Sequence, residues 1–281
     1  LNISAAILTA AAAEIGRIVI RVQIQWILTV KSFCTVRRRF GGFKMKLLDT
    51  ANTNTKIEKS QKSKTAIRVA SLSLYPDDII CPSRHNAECS DPCIVGSGRG
   101  CFDWVIQARQ SKTDWYHSDR FSFLAQLKKE LKNFDRLCKR SGVVGYVRLN
   151  VYSDIPYELK CNGSIPQSFP DLKFYDYTKR GHRLKNPPAN YQLMFSYSAA
   201  PKYKKQVDLA LKTDAPISVV FNGPMPDIFL GRRVIDGDKS DIKNLEHHAQ
   251  IIGLKFKQNR IKRVDPLRDS ALIITTDAAY A

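Results

Sequence analysis

The chain has 281 residues, 43% of them hydrophobic and 25% charged, with seven cysteines and 45 Lys and Arg against 26 Asp and Glu. That length and apolar content suffice for a large core and exclude a chain disordered throughout. An odd, clustered set of cysteines in so long a chain excludes a small secreted disulfide scaffold and points to a reducing, cytoplasmic compartment. The net charge of +19 favours an anionic partner, of which DNA or RNA is the commonest.

Residues 1–44 begin apolar and alanine-rich, but Glu14, Arg17 and Arg21 interrupt the run. A membrane span needs roughly 20 apolar residues, so no membrane partner is expected. The positive charge follows the apolar stretch, the reverse of a secretory signal. The first methionine is Met45. Residues 1–44 therefore read as upstream read-through outside the fold, with Met45-Lys46-Leu47-Leu48 opening the protein. That segment holds seven basic residues and one acid, so the body stays basic without it. Residues 45–66 read as a polar lead-in arm, basic enough to touch phosphate. Residues 67–281 read as a single α/β domain.

A first strand is expected near 67–75, followed by a cysteine loop from Cys81 to Cys101. A short helix follows over Phe102 to Lys112. A longer one begins after an N-cap at Ser118, with Phe121, Leu124, Leu127, Leu131, Phe134 and Cys138 on its apolar face, and Gly142 stops it. Further strands are expected at Val143–Asn150, Leu172–Lys179, Tyr191–Ser196, Ile217–Phe221, Arg233–Asp238 and Ile251–Phe256, with Leu272–Ile274 pairing at a sheet edge. Residues 201–212 read as a helix. Short apolar strands separated by helices and loops argue for α/β with a mainly parallel sheet. An irregular or incomplete (β/α) barrel fits first, an open mainly parallel sheet second.

The cysteine loop carries the chemistry. Its thiols at Cys81, Cys89, Cys93 and Cys101 are separated by seven, three and seven residues. The loop is polar, and a bound metal would give it a shape its few apolar residues do not. Three thiolates, Cys81, Cys89 and Cys93, suit an iron–sulfur cluster with one iron left open; Cys101 or His85 as a fourth ligand makes a closed site of the structural zinc kind. Gly98, Arg99 and Gly100 leave the loop and suit an anion or cofactor phosphate through backbone N–H groups and the guanidinium. Several strands end in polar residues: Asn150, Ser153 and Asp154, then Asp176 and Lys179, then Ser196, Asn222, and Asp236, Asp238 and Asp241. In α/β folds the carboxyl ends of parallel strands share the active face. Asn150, Asp154, Asp176, Lys179 and Asp236 are therefore the candidate acid–base and positioning groups.

Met45-Lys46-Leu47-Leu48, Cys81-Pro82 with Cys89 and Cys93, Gly98-Arg99-Gly100, Ala108-Arg109 with Lys112-Thr113, Arg148-Leu149-Asn150 with Ser153-Asp154-Ile155-Pro156, Phe174 to Lys179, and Val234 to Asp238 with Asp241 are together similar to the Gene product 88 family. That is a family of uncharacterised proteins from bacteriophages and mobile elements. The resemblance runs from Met45 to about Lys257 and implies a phage-encoded protein acting in the host-cell cytoplasm, with no established activity. A fold-level likeness is to radical S-adenosylmethionine enzymes, which place three cysteines after the first strand of a barrel. Their C-x3-C-x2-C spacing differs from this one, and S-adenosylmethionine is the weaker cofactor expectation beside an iron–sulfur cluster or zinc. Two functions stay open. One is a metal- or cluster-containing enzyme acting on nucleic acid or a nucleotide. The other is a non-catalytic nucleic-acid-binding protein with a structural zinc loop, in which Trp104, Tyr175 or Tyr177 stacks on bases.

Overall fold

The computed structural model of the protein describes residues 45–50, 67–266 and 269–276. Segment 1–44 and most of the lead-in arm lie outside the described residues. The start of the arm differs from expectation. Leu47 and Leu48 are fully buried, and strand β1 (Leu48–Asp49) pairs antiparallel with β2 (Ile67–Leu72). Two adjacent leucines bury too much apolar area to stay in solvent. Side chains of the following helices hold the strand in place. The Glu130 carboxylate accepts the N–H groups of Leu47 at 3.0 Å and Leu48 at 2.7 Å, and Lys112 Nζ donates to the Leu47 carbonyl at 3.0 Å.

Helix α1 (Asp103–Ser118) runs six residues beyond the expected stop at Lys112, and α2 (Arg120–Arg140) follows almost at once. Asp119, not Ser118, caps α2: its carboxylate accepts the Ser122 N–H at 3.0 Å. Leu127, Leu131, Phe134 and Cys138 are buried as the pattern predicts. At the start of the stripe, however, Phe123 is buried and Phe121 is 86% exposed. Phe123 lies one turn before Leu127 on the same face, whereas Phe121 is about 200° further round the helix. Gly142 sits just past the helix with φ +61, the left-handed C′ position expected of it.

The remaining strands are β3 (Val144–Arg148), β4 (Lys173–Thr178), β5 (Tyr191–Ser196) and β6 (Ile217–Asn222), with helix α3 (Lys204–Leu211) between the last two. Then come β7 (Ile228–Phe229), β8 (Arg232–Asp236), the short α4 (Asp241–Asn244), β9 (Ile251–Lys255) and β10 (Ile273–Thr275). The sheet order is β1-β2-β3-β4-β5-β6-β9-β8-β7. Every pairing from β2 through β8 is parallel; only β1 and β7 run antiparallel to their neighbours. β10 pairs parallel with the carboxyl half of β6. β7 and β8 form a hairpin whose turn residues Leu230 and Gly231 have φ +50 and +69, the two positive values a type I′ turn needs.

The sheet is open, which is the second of the two architectures expected. β2 through β6 follow one another as barrel strands do, but β1 and β7 end the sheet without meeting. The connections β3–β4 and β4–β5 carry only single turns, Lys160–Asn162, Pro166–Ser168 and Gly181–Leu184. A closed (β/α) barrel surrounds itself with full helices at each of these crossings.

Strand alternation sends the apolar residues to two faces. Ala70, Val147, Phe174, Phe195, Val219 and Ile251 join the main core with the α2 stripe. Val69, Tyr175, Met194 and Ile252 form a smaller cluster on the other face, with Leu245 from the α4 segment. That second face carries the site.

Candidate functional site

A cavity of about 1170 Å³ opens over the second face at the carboxyl ends of the strands. Ser71, Arg148, Tyr177, Ser196 and Leu254 line it. Each stands two residues beyond a member of the smaller cluster or its packed neighbours, so the pleat that buries Val69, Tyr146, Tyr175, Met194 and Ile252 also turns these side chains into the cavity. The cysteine loop forms the opposite wall.

Hydrogen bonds contribute to holding that loop. The Asp77 carboxylate accepts the N–H groups of Ile79 and Ile80 and pairs with His117 at 2.7 Å. Burial alone pushes the Asp77 carboxyl up, but these donors outweigh it and hold it below its usual value. Arg84 donates to the Pro76 carbonyl and to Ser90. Asn259 reaches from beyond β9 to donate to the carbonyls of Asp91 and Cys93 at 3.0 and 2.9 Å. The Asp154 N–H donates to the Ile80 carbonyl at 2.7 Å.

Cys81, Cys89 and Cys93 all line the cavity, and none is in a disulfide. Burial pushes the Cys81 thiol far up, and the nearby Asp154, Cys93 and Cys89 add to it. Burial likewise raises Cys93 to about 11. The Cys81 and Cys93 thiols therefore stay protonated unless a cation joins them. Cys101 is not in the cavity wall; its Sγ donates to the Gly98 carbonyl at 3.1 Å. His85 points outward to Asp78 at 2.8 Å. Neither completes a four-ligand set with the other three. Among the described residues, no three His, Cys, Asp or Glu side chains stand close enough together to hold one metal ion.

The remaining sequence candidates divide. Lys179 lines the cavity, with Nζ donating to the carbonyls of Ser196 at 3.2 Å and Tyr197 at 3.3 Å. Burial lowers its pKa against the opposing pull of Cys89, Asp154, Cys93 and Cys81. Asp154 also lines the cavity, but its carboxylate is fully engaged: it accepts from Thr178 Oγ1 at 2.8 Å, from the Lys179 N–H at 2.9 Å, and from Arg183. It joins the β3 exit to the β4 exit. Asn150 and Asp176 form a second such joint. Asn150 lines the cavity, and Asp176, which does not, accepts the Asn150 N–H at 2.7 Å and the Tyr191 hydroxyl at 2.7 Å through its carboxylate. Gly98, Arg99 and Gly100 line the rim, though the Gly100 N–H is already given to Ser97. Asp236 is not in the wall; it is half-exposed and accepts the Asp238 N–H at 3.0 Å. Tyr175 is fully buried, whereas Tyr177 lines the cavity with its hydroxyl on Asp241 at 2.9 Å and the Arg148 guanidinium over its ring.

Sequence reading missed the floor. Arg148 donates through Nη1 to Asp241 at 2.8 Å and stacks on Tyr177, with its guanidinium carbon 4.7 Å from the ring centre. Its Nε is buried with no partner among the described residues. The residue lines the cavity, and its guanidinium places a positive charge at the floor that suits an anionic oxygen. The signal was an arginine inside an otherwise apolar strand. Arg109, over the Tyr152 ring at 4.4 Å, and Lys112 add positive charge to the same wall.

The architecture is that of an open parallel α/β protein with a deep, basic, cysteine-walled site at its strand carboxyl ends. The family model described as Gene product 88 matches residues 45–270. The chain belongs to the Gene product 88 family, an uncharacterised phage gene product family. No curated protein and no solved structure matches the chain. No helix among the described residues is long and apolar enough to cross a membrane.

Proposed function

We propose that the protein is an enzyme whose cavity holds an iron–sulfur cluster on Cys81, Cys89 and Cys93 and acts on an anionic, phosphate-bearing substrate. The observation that carries this reading is the convergence of three reduced thiols with Lys179 and Arg148 around one cavity at the strand carboxyl ends. The donor set fits the group: soft sulfur ligands select iron–sulfur clusters, zinc or copper(I). One zinc ion needs its sulfurs within about 3.8 Å of each other, and these side chains are not so gathered. A cluster places each sulfur on a different iron and spans a wider opening. Cys81, Cys89 and Cys93 would hold such a cluster, since Cys101 and His85 make their hydrogen bonds elsewhere, and S-adenosylmethionine would be its partner. When bound, such a cluster supplies one-electron chemistry.

The chain's own residues bind and orient. Arg148, Arg109 and Lys112 line the cavity and supply positive charge that draws phosphate inward. Lys179, anchored by two carbonyls, presents its remaining N–H to the cavity as a donor at a fixed place. Asp154 and the Asn150–Asp176 pair hold the strand exits in register and so position Lys179 and the loop.

Oxygen-free purification with iron and sulfide analysis tests the reading. We expect about four irons per chain and broad absorption at ~400 nm. Serine at Cys81, Cys89 or Cys93 should abolish both, while Cys101→Ser should keep them. Adding S-adenosylmethionine to the reduced protein and following its cleavage identifies that cofactor. Zinc without iron, or iron lost equally in Cys101→Ser, rejects the cluster and returns the protein to a nucleic-acid binder with a structural zinc loop.

A further inference from the structure

We infer that the cavity's substrate is single-stranded nucleic acid, with one base stacked on the Phe102–Trp104 pair at the rim and the phosphate backbone following the segment from Lys255 to Arg263. This deepens the reading of the cavity as a catalytic site and rests on it for what happens to the strand once bound.

Trp104 is 67% exposed and Phe102 40%, yet their rings lie 4.8 Å apart at a 30° tilt. Large aromatics left in water at a cavity mouth lose the burial that usually keeps them in a core. Trp104 lines that mouth. A base has the flat, apolar face that covers such a pair, and stacking tolerates any base.

The charge beside it is concentrated in one exposed stretch of chain. Lys255, Lys257 and Arg99 line the same cavity, and Arg260, Lys262 and Arg263 continue the exposed segment. The segment is clamped to the cysteine loop. Ser97 Oγ donates to the carbonyls of Lys257 and Gln258, the Arg260 N–H donates to the Gly96 carbonyl at 3.0 Å, and Asn259 spans to Asp91 and Cys93. Two of these cations already face acids, Lys257 with Asp238 at 3.2 Å and Lys262 with Asp91 at 2.7 Å. The Lys262–Asp91 pair is solvent-exposed on both sides and gives way to a phosphate at little cost, and Lys257 is itself exposed although Asp238 is largely covered. A mononucleotide has its charge at one point. A row of cations nine residues long beside a stacking platform matches a chain of successive phosphates instead. A duplex offers no base face except at its ends, which selects the single strand.

Binding of fluorescently labelled oligonucleotides of about 12 nucleotides to the full chain tests this. A single strand should bind more tightly than the duplex of the same sequence, with affinity falling steeply as salt rises. Trp104→Ala should weaken single-strand binding by about 5- to 100-fold. Trp104→Phe should keep most of the affinity while removing the tryptophan quenching that bound bases cause. Lys255→Glu combined with Arg260→Glu should flatten the salt dependence. Thermal melts unchanged from wild type show that these surface variants fold. Equal or tighter binding of the duplex, an unchanged affinity in Trp104→Ala, or equal binding of an acidic peptide overturns the inference. The assay needs no cluster. Iron-free protein that still binds single strands through Trp104 rejects only the cluster, and iron-loaded protein that ignores them rejects only this substrate.

Discussion

Arg183 shows how much of the acidic row serves the fold. Its guanidinium contacts Asp154, grips Glu158 through two bonds of 2.7 and 2.8 Å, and donates to the Tyr191 hydroxyl, all in the interior. Removing it leaves two buried carboxylates without their cation. Arg183→Met is therefore expected to cost about 3–5 kcal/mol, read as a shift of the denaturation midpoint with unchanged slope. Asp176 makes a pH prediction. Burial pushes its carboxyl up to about 6, although the Tyr191 hydroxyl, Arg148 and the Asn150 N–H favour the charged form. A folded pKa above the unfolded one means that protons bind the native state more tightly. The contribution is complete below about pH 4 and is lost as pH rises through 6. Relative to Asp176→Asn, the wild-type protein should lose on the order of 2–3 kcal/mol of stability between pH 4 and pH 7. A parallel pH profile for the two proteins would show that this carboxyl is ionised throughout.

At the scale of elements, close approach matters most where α2 crosses β3. A methyl group on Gly145 would lie 2.6 Å from Leu172 Cδ2 and 2.9 Å from Cys138 Sγ. Gly145→Ala should therefore destabilise by about 1–3 kcal/mol through overpacking, and Gly145→Ala with Cys138→Ala should recover part of the loss. The same packing explains which parts of α2 were legible. Its period and its stop at Gly142 follow from spacing and from the glycine's freedom at positive φ. Its first turn was not legible, because Ser118 and Asp119 are both good caps and only the finished turn shows which one accepts the Ser122 N–H. That choice separates buried Phe123 from exposed Phe121.

For the molecule as a whole, the sheet sets a gradient of stability. β3 to β6 are paired on both sides, whereas β1 and β7 are two-residue strands at the ends. Amide exchange should be slowest in β4, β5 and β6 and fastest at β7, with β1 slower than its length suggests because Glu130 and Lys112 hold it. A β7 as protected as β5 would mean that the sheet edge is covered by something further. The amino-acid order alone determined the longer strands, the mainly parallel α/β class, the basic character and the place of the cysteine loop after the first parallel strand. These are local or additive properties: pleat alternation, helical period, turn residues and summed charge. Tertiary structure alone decided that the sheet stays open, that Cys101 and Asp236 face away while Asp241 and Arg148 meet across 93 residues, and that Trp104 rather than Tyr175 is exposed. Which neighbour a charge or a ring finds depends on strands brought together from distant parts of the chain, and no spacing within one segment records that.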